Sequence, residues 1–263
     1  MTRSAGLVRL LRWLLLALLV LLVLAVVVAW TLPAQLAWRV VADRAGSVQL
    51  EGISGSVWRG HADRLSVAAT PVGTLDWQLQ PAALLRGQLR AQLQLSGPRV
   101  QGRGQVTRLR DGRLDVRGLH LTMPAEQLQP ALGLPSLQLL GTFQVDVAHA
   151  LVEHVWFDAL QAHAVWQDAG VAGSARAAFG AVLADVNLDD AGRVVGRLHD
   201  GGGPLMVQGR LQASPIGYTL VAHLRPRDRD NFNLQEALMY IGQRQPDGSV
   251  LLRVEGHAQL PTL

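Results

Sequence analysis

The sequence predicts an all-β protein: an N-terminal transmembrane helix followed by a predominantly antiparallel, curved, two-unit β-sheet domain with few short helices. Three observations predict it. Beyond residue 45 apolar and polar residues alternate over run after run, the period of a strand with one buried face. The runs are punctuated by Asp-Gly pairs and glycine clusters of the kind that turn hairpins. Ahead of them, no ionisable side chain occurs from Trp13 to Trp38.

That uncharged run fixes the first element. Up to Leu32 it is almost entirely Leu, Val and Ala, and about 20 such residues cross a hydrocarbon core. Arg3, Arg9 and Arg12 precede it with no acid among them, which predicts a cytoplasmic N-terminus at 1–12, a span at 13–32 and residues 33–263 on the periplasmic side. A cleaved signal peptide has a shorter apolar region, so the segment reads as an anchor.

The strands follow in order. In 87–97, Leu89, Ala91, Leu93 and Leu95 take one face and Gln88, Arg90, Gln92 and Gln94 the other. The pattern recurs at 65–67, 75–79, 143–147, 184–188, 205–211, 218–224 and 250–254. Asp111-Gly112 and Asp247-Gly248 read as tight turns, residues 199–204 as a longer loop, and a phase slip near Gly118 as a bulge. Leu89, Leu93, Leu95, Val145, Val186, Leu220 and Val254 are the expected buried set. A helix is expected at 233–243, from the stripe of Leu234, Leu238 and Ile241, with shorter ones possible at 34–43 and 124–131. A Trp-Gln pair at Trp77 and again at Trp166, each within an alternating run, suggests two similar units at 45–122 and 137–226 within one sheet system. Their Leu-, Val- and Ala-rich faces are expected to cover each other.

Composition narrows the function. All 24 basic residues are arginine, against 20 acids; without the three leader arginines the balance is 21 to 20. A nucleic-acid reader needs a clustered basic excess, and none stands out. Arg99, Arg103, Arg108, Arg110, Arg113 and Arg117, with Asp111 and Asp115 between them, read as a solvated hairpin face. The absence of cysteine removes thiol metal sites and redox chemistry. No nucleophile elbow, phosphate loop or dinucleotide fingerprint occurs. His149, His154 and His163 lack the companions of a zinc site, and Asp185, Asp189 and Asp190 fit a turn better than a calcium loop. The expectation is a protein without catalytic residues, cofactor or metal.

One short stretch is unusual: Gly55, Ser56, Val57, Trp58, Arg59 and Gly60 place an indole between two glycines. Glycine permits tight turning and close backbone approach, so Trp58 is expected to fold onto the end of the sheet.

These features in series resemble the type II secretion system protein N family. The likeness runs from the Arg-bearing leader and span through 32–38 and the pattern carried by Gly55, Ser56, Trp58, Gly60 and Ala62. It continues with Trp77, Pro81 and the Leu84-Leu85 pair in 73–89, and ends in 202–228. The resemblance implies a non-enzymatic accessory component of protein export across the outer membrane, anchored in the inner membrane, with inner-membrane platform proteins and the outer-membrane secretin as partners. A periplasmic lipid-handling protein of the AsmA-like type, also an anchor followed by repetitive β-sheet, is the alternative.

Overall fold

A computed structural model describes residues 32–42, 46–67, 70–128, 137–173 and 176–257. The expected span at 13–32 lies outside them but for Leu32. Among the described residues no helix is long and apolar enough to cross a membrane.

The described residues form a single 14-stranded sheet in which every paired neighbour is antiparallel. A helix α1 (Ala34–Val41) leads into β1 (Val48–Gly55), β2 (Arg59–Val67) and β3 (Thr70–Leu79). A one-turn helix α2 (Pro81–Leu84) separates β3 from β4 (Leu89–Ser96), which is followed by β5 (Gln101–Arg108) and β6 (Leu114–Pro124). After a 3-10 turn at Ala125–Leu128 come the two longest strands, β7 (Leu137–Glu153) and β8 (Trp156–Gly173). Next are β9 (Ala177–Leu188), β10 (Val194–Asp200), β11 (Leu205–Ser214) and β12 (Gly217–Pro226). A ten-residue helix α3 (Phe232–Ile241), then β13 (Gln243–Arg244) and β14 (Val250–His257), complete it. From β1 to β12 each strand pairs only with its neighbours in sequence; β14 then adds to β12, and β13 to β14.

The turns explain the order. At 109–113, 189–193 and 245–249 the first residue's carbonyl accepts from the glycine amide at the fourth position, and its own N–H donates to the fifth. Gly112, Gly192 and Gly248 all have positive φ. This is a type I turn closed by a glycine bulge, a connection that returns the chain antiparallel. Asp111 and Asp189 each accept from a following arginine, both from its backbone N–H and from its Nε. Asp189 thus shapes its turn as its sequence position suggests, whereas Asp185 sits within β9. The slip at Gly118 is a bulge: Arg103 opposes His120, but Gln105 opposes Arg117, with Gly118 at φ 57°.

Two clusters form the core, both on the apolar face. Toward the N-terminus, Ala34 and Trp38 of α1 pack on Ile53, Ala62, Leu75 and Trp77. Toward the C-terminus, Leu234, Ala237 and Leu238 of α3 pack on Leu139, Val171, Phe179, Leu205, Val207, Leu224 and Val250. Helix α3 begins where Asn231 Oδ1 accepts from the Leu234 amide at 3.1 Å, an N-cap. It ends at Gly242.

Between the clusters the outcome differs from expectation. The Leu, Val and Ala faces do not stack as two layers, because all 14 strands continue one sheet. Leu93, Leu95, Val145, Val186, Leu220 and Val254 are therefore only half-buried, and Leu89, at the start of β4, is 43 % exposed. Alternation identifies a face but not what covers it. The two expected units are successive parts of the same sheet.

Candidate interaction surface

The motif glycines and tryptophans meet at one corner. Gly55 closes β1 at φ 81°, and a side chain there would run into the Arg59 carbonyl 2.5 Å away. The chain turns back through Ser56, whose amide donates to that carbonyl at 2.9 Å. Pro33 bridges to Ser56, and the Val57 amide donates to the Leu32 carbonyl at 3.0 Å, so the segment leaving the leader is sewn to this corner. The carbonyl of Trp58 accepts from the Leu79 amide at 2.7 Å, while its indole is half-buried.

Gly60 serves a different indole. It is buried, and opposes Trp77 across β2 and β3. A Cβ on it would lie 2.5 Å from Cε2 and 2.8 Å from Cη2 of Trp77. Trp77 fills that space and donates Nε1–H to the Val57 carbonyl at 3.1 Å. Trp166 is placed alike in the second half of the sheet: it donates to the Leu140 carbonyl at 2.8 Å, stacks on Phe143 at 5.1 Å, and meets Phe179 edge-on. Both tryptophans of the Trp-Gln pairs thus fasten the apolar face to main chain. Buried indoles require such a partner.

The opposite face carries a feature that sequence reading missed. His61 opposes Asp76, which opposes Gln94, which opposes Arg103, which opposes His120. The row continues through Asp146, His163, Asp185 and Arg197 to Arg210. Ten consecutive strands, β2 to β11, each contribute one polar side chain in register. Within the row, Nδ1 of His61 lies 2.7 Å from Asp76, Nδ1 of His163 lies 2.8 Å from Asp185, and His120 bonds Asp146. The hydrogen bond that Asp76 accepts draws the His61 pKa above its usual value, against partial desolvation. The components were visible in each strand's polar positions. Their meeting depends on turn lengths and bulges, which decide which His reaches which Asp.

One row over on the same face lie Gln161, Asn187 and Gln212. A cavity of about 920 Å³ between the rows is lined also by Leu119, Val147, Ala162, Val186, Val195 and Gly196. A second, of about 560 Å³, continues from Arg103 toward Gln94, Gln92, Asp76 and Arg59. The two make a polar trough across the strands. Of the hairpin arginines, Arg103 lies in it, and Arg117 borders it while bonded to Asp115 at 2.9 Å. His149 also binds Asp115, at 3.1 Å, and His154 sits in a turn at φ 53°. Among the described residues no three His, Asp or Glu side chains are grouped to hold a metal.

The fold and this face define a class of protein: a single antiparallel sheet with a row of polar side chains running across its strands. The family model for type II secretion system protein N matches residues 46–253, and the chain belongs to that family. It is 28% identical over 231 residues to type II secretion system protein N of Aeromonas hydrophila, covering 86% of this chain and 90% of that one. It is 34% identical over 125 residues to the protein of the same name from Vibrio cholerae, covering 44% and 46% of the two chains. No solved structure matches it.

Proposed function

We propose that this type II secretion component is a non-enzymatic accessory protein, anchored in the inner membrane through 13–32 with residues 33–263 in the periplasm. It acts in export across the outer membrane by contacting platform proteins and the secretin. Family membership over 46–253 carries the reading. The trough supports a binding role, because its carboxylates and imidazoles are strung along a face and bonded to one another. The membrane placement is supported by the charge-free run and the arginines before it. A reporter fused to the C-terminus tests the topology: one active only in the periplasm should be active and sediment with membranes. A processed, soluble form would remove the anchor. Crosslinking in intact cells should recover platform or secretin subunits.

One observation favours the AsmA-like, lipid-handling reading. Between the two core clusters, Leu93, Leu119, Leu121, Val145, Val147 and Ala162 are half-exposed on a continuous apolar face, and such a face can hold acyl chains. Purification tests it: lipid retained one-to-one, with no secretion partner crosslinked, would replace the secretion role by this one.

A further inference from the structure

The trough holds arginines that no carboxylate among the described residues bonds. Asp76, Asp146 and Asp185 each bond a histidine of the row. Arg103, Arg197 and Arg210 bond no side chain among the described residues. Arg197 and Arg210 stand directly opposite each other on β10 and β11, with Asp185 opposite Arg197 on the other side but not bonded to it. Like charges directly opposite destabilise a sheet, and Arg210 has no such carboxylate beside it in the row. In the larger cavity the unbonded cations sit at two places, Arg103 on β5 and the Arg197–Arg210 pair five strands away; Arg59, its side chain also unbonded among the described residues, lines the far end of the smaller cavity.

Shape selects among anions. The two walls come from residues two apart on each strand, so their Cα rows are about 7 Å apart. A helix, about 10 Å across, is too wide for that channel; a single extended chain fits. The far wall offers Gln161, Asn187 and Gln212, with Val195 between the last two; the three amides can both donate to and accept from a peptide backbone. Five strand spacings span about 24 Å, the length of about seven extended residues. The occupant is not one of this chain's segments outside the described residues: their single acid is Asp43.

We propose that the trough receives one extended, acidic segment of another protein of the secretion apparatus. Carboxylates about seven residues apart engage Arg103 at one end and Arg197 with Arg210 at the other, and the backbone between them lies on the amides. The source of the segment rests on the function proposed above; the acidic, extended chemistry does not.

The test uses the full chain in detergent and a fluorescein-labelled ten-residue peptide with paired glutamates at both ends and Ser and Gly between. Anisotropy should show binding that weakens with salt and is absent for the peptide with glutamines in their place. Arg197→Gln with Arg210→Gln should weaken it about tenfold, as expected for two partly exposed ion pairs. Arg64→Gln should leave it unchanged, since Arg64 is exposed and bonds Glu51 at 2.7 Å outside the trough. Equal binding of the glutamine peptide, or equal loss with Arg64→Gln, would overturn the proposal. So would vesicles containing phosphatidylglycerol binding in a way that depends on the arginine pair while the peptide does not bind. In cells, a photo-crosslinking residue at position 187 should yield an adduct with a secretion protein that disappears in the double arginine variant. Peptide binding in vitro with the same adduct formed in cells lacking the secretion genes would leave the acidic site standing and remove its assignment to secretion.

Discussion

Gly60 offers the sharpest stability test, because one methyl group should be felt by one identifiable ring. An alanine Cβ there would stand 2.5 Å from Cε2 of Trp77 and 2.8 Å from Cη2, well inside the 3.5–4.0 Å optimum for carbon contacts. The indole cannot yield cheaply. Its Nε1–H is held by the Val57 carbonyl at 3.1 Å, and it packs against the buried cluster of Ala34, Ile53 and Ala62. Overpacking a core position costs about 1–3 kcal/mol, and losing the Val57 hydrogen bond adds about 1 kcal/mol. Gly60→Ala should therefore destabilise by about 2–4 kcal/mol. Chemical denaturation monitored by Trp fluorescence measures it, and the melting temperature should fall by several degrees. The cause is isolated by Trp77→Leu: in that background the alanine should cost less than about 1 kcal/mol, a coupling between touching residues. A loss below about 0.5 kcal/mol in the parent protein, or an equal loss in both backgrounds, would refute this account of Gly60.

Other expectations follow from the same geometry. Trp166→Ala should cost about 3 kcal/mol, in the range for a large aromatic, because it removes the Phe143 stack, the edge contact with Phe179 and the hydrogen bond to the Leu140 carbonyl; thermal denaturation reads it. Gly192→Ala meets no atom within 4 Å but keeps φ at 71°, so it should cost only about 1 kcal/mol, the left-handed backbone penalty. The raised pKa of His61 adds stability that is fully present below pH of about 6.5, the ordinary His value. That stability fades as pH rises through the higher folded value. Melting curves from pH 5.5 to 8.5 should show a decline that His61→Gln reduces. The Asp111, Asp189 and Asp247 carboxyls are held below their usual range. Asp111 and Asp189 owe this first to backbone N–H donors, and Asp247 first to the Ser249 hydroxyl. Their stabilisation is intact above about pH 4 and is lost as pH falls through the lower folded values, so Asp189→Asn should flatten the acid limb of the curve.

Much of this was legible in the sequence because strands announce their faces. The alternation at 87–97 assigned Leu93 and Gln94 to opposite sides correctly, and the Asp-Gly turns and the Gly118 bulge fell where expected. The helix at 233–243 proved to be 232–241. Layering was not legible: period-two patterning is the same for a face covered by a second sheet, by a helix, or by neither, and Leu89 shows the last case. Nor could the roles of the two motif glycines be separated. Gly55 is required by its own backbone angle, but Gly60 is required by Trp77, a residue 17 positions away that reaches it only once β2 and β3 are in register. The polar row is hidden for the same reason. His61 and Arg210 belong to one line only after nine pairings are in place.

The sequential strand order from β1 to β12 has a consequence for a chain synthesised from its N-terminal end. Each new strand finds its partner already laid down, so the sheet can lengthen at its leading rim while the remainder is still to be made, without waiting for distant pieces. That growth is halted by the final turn of the path. Helix α3 doubles back onto strands made earlier, and β14 inserts beside β12 with only the two residues of β13 outside it. Nested C-terminal truncations ending after β6, β8 or β10 should accordingly keep the α1 corner protease-resistant, while the α3 cluster should appear only when the last hairpin is present.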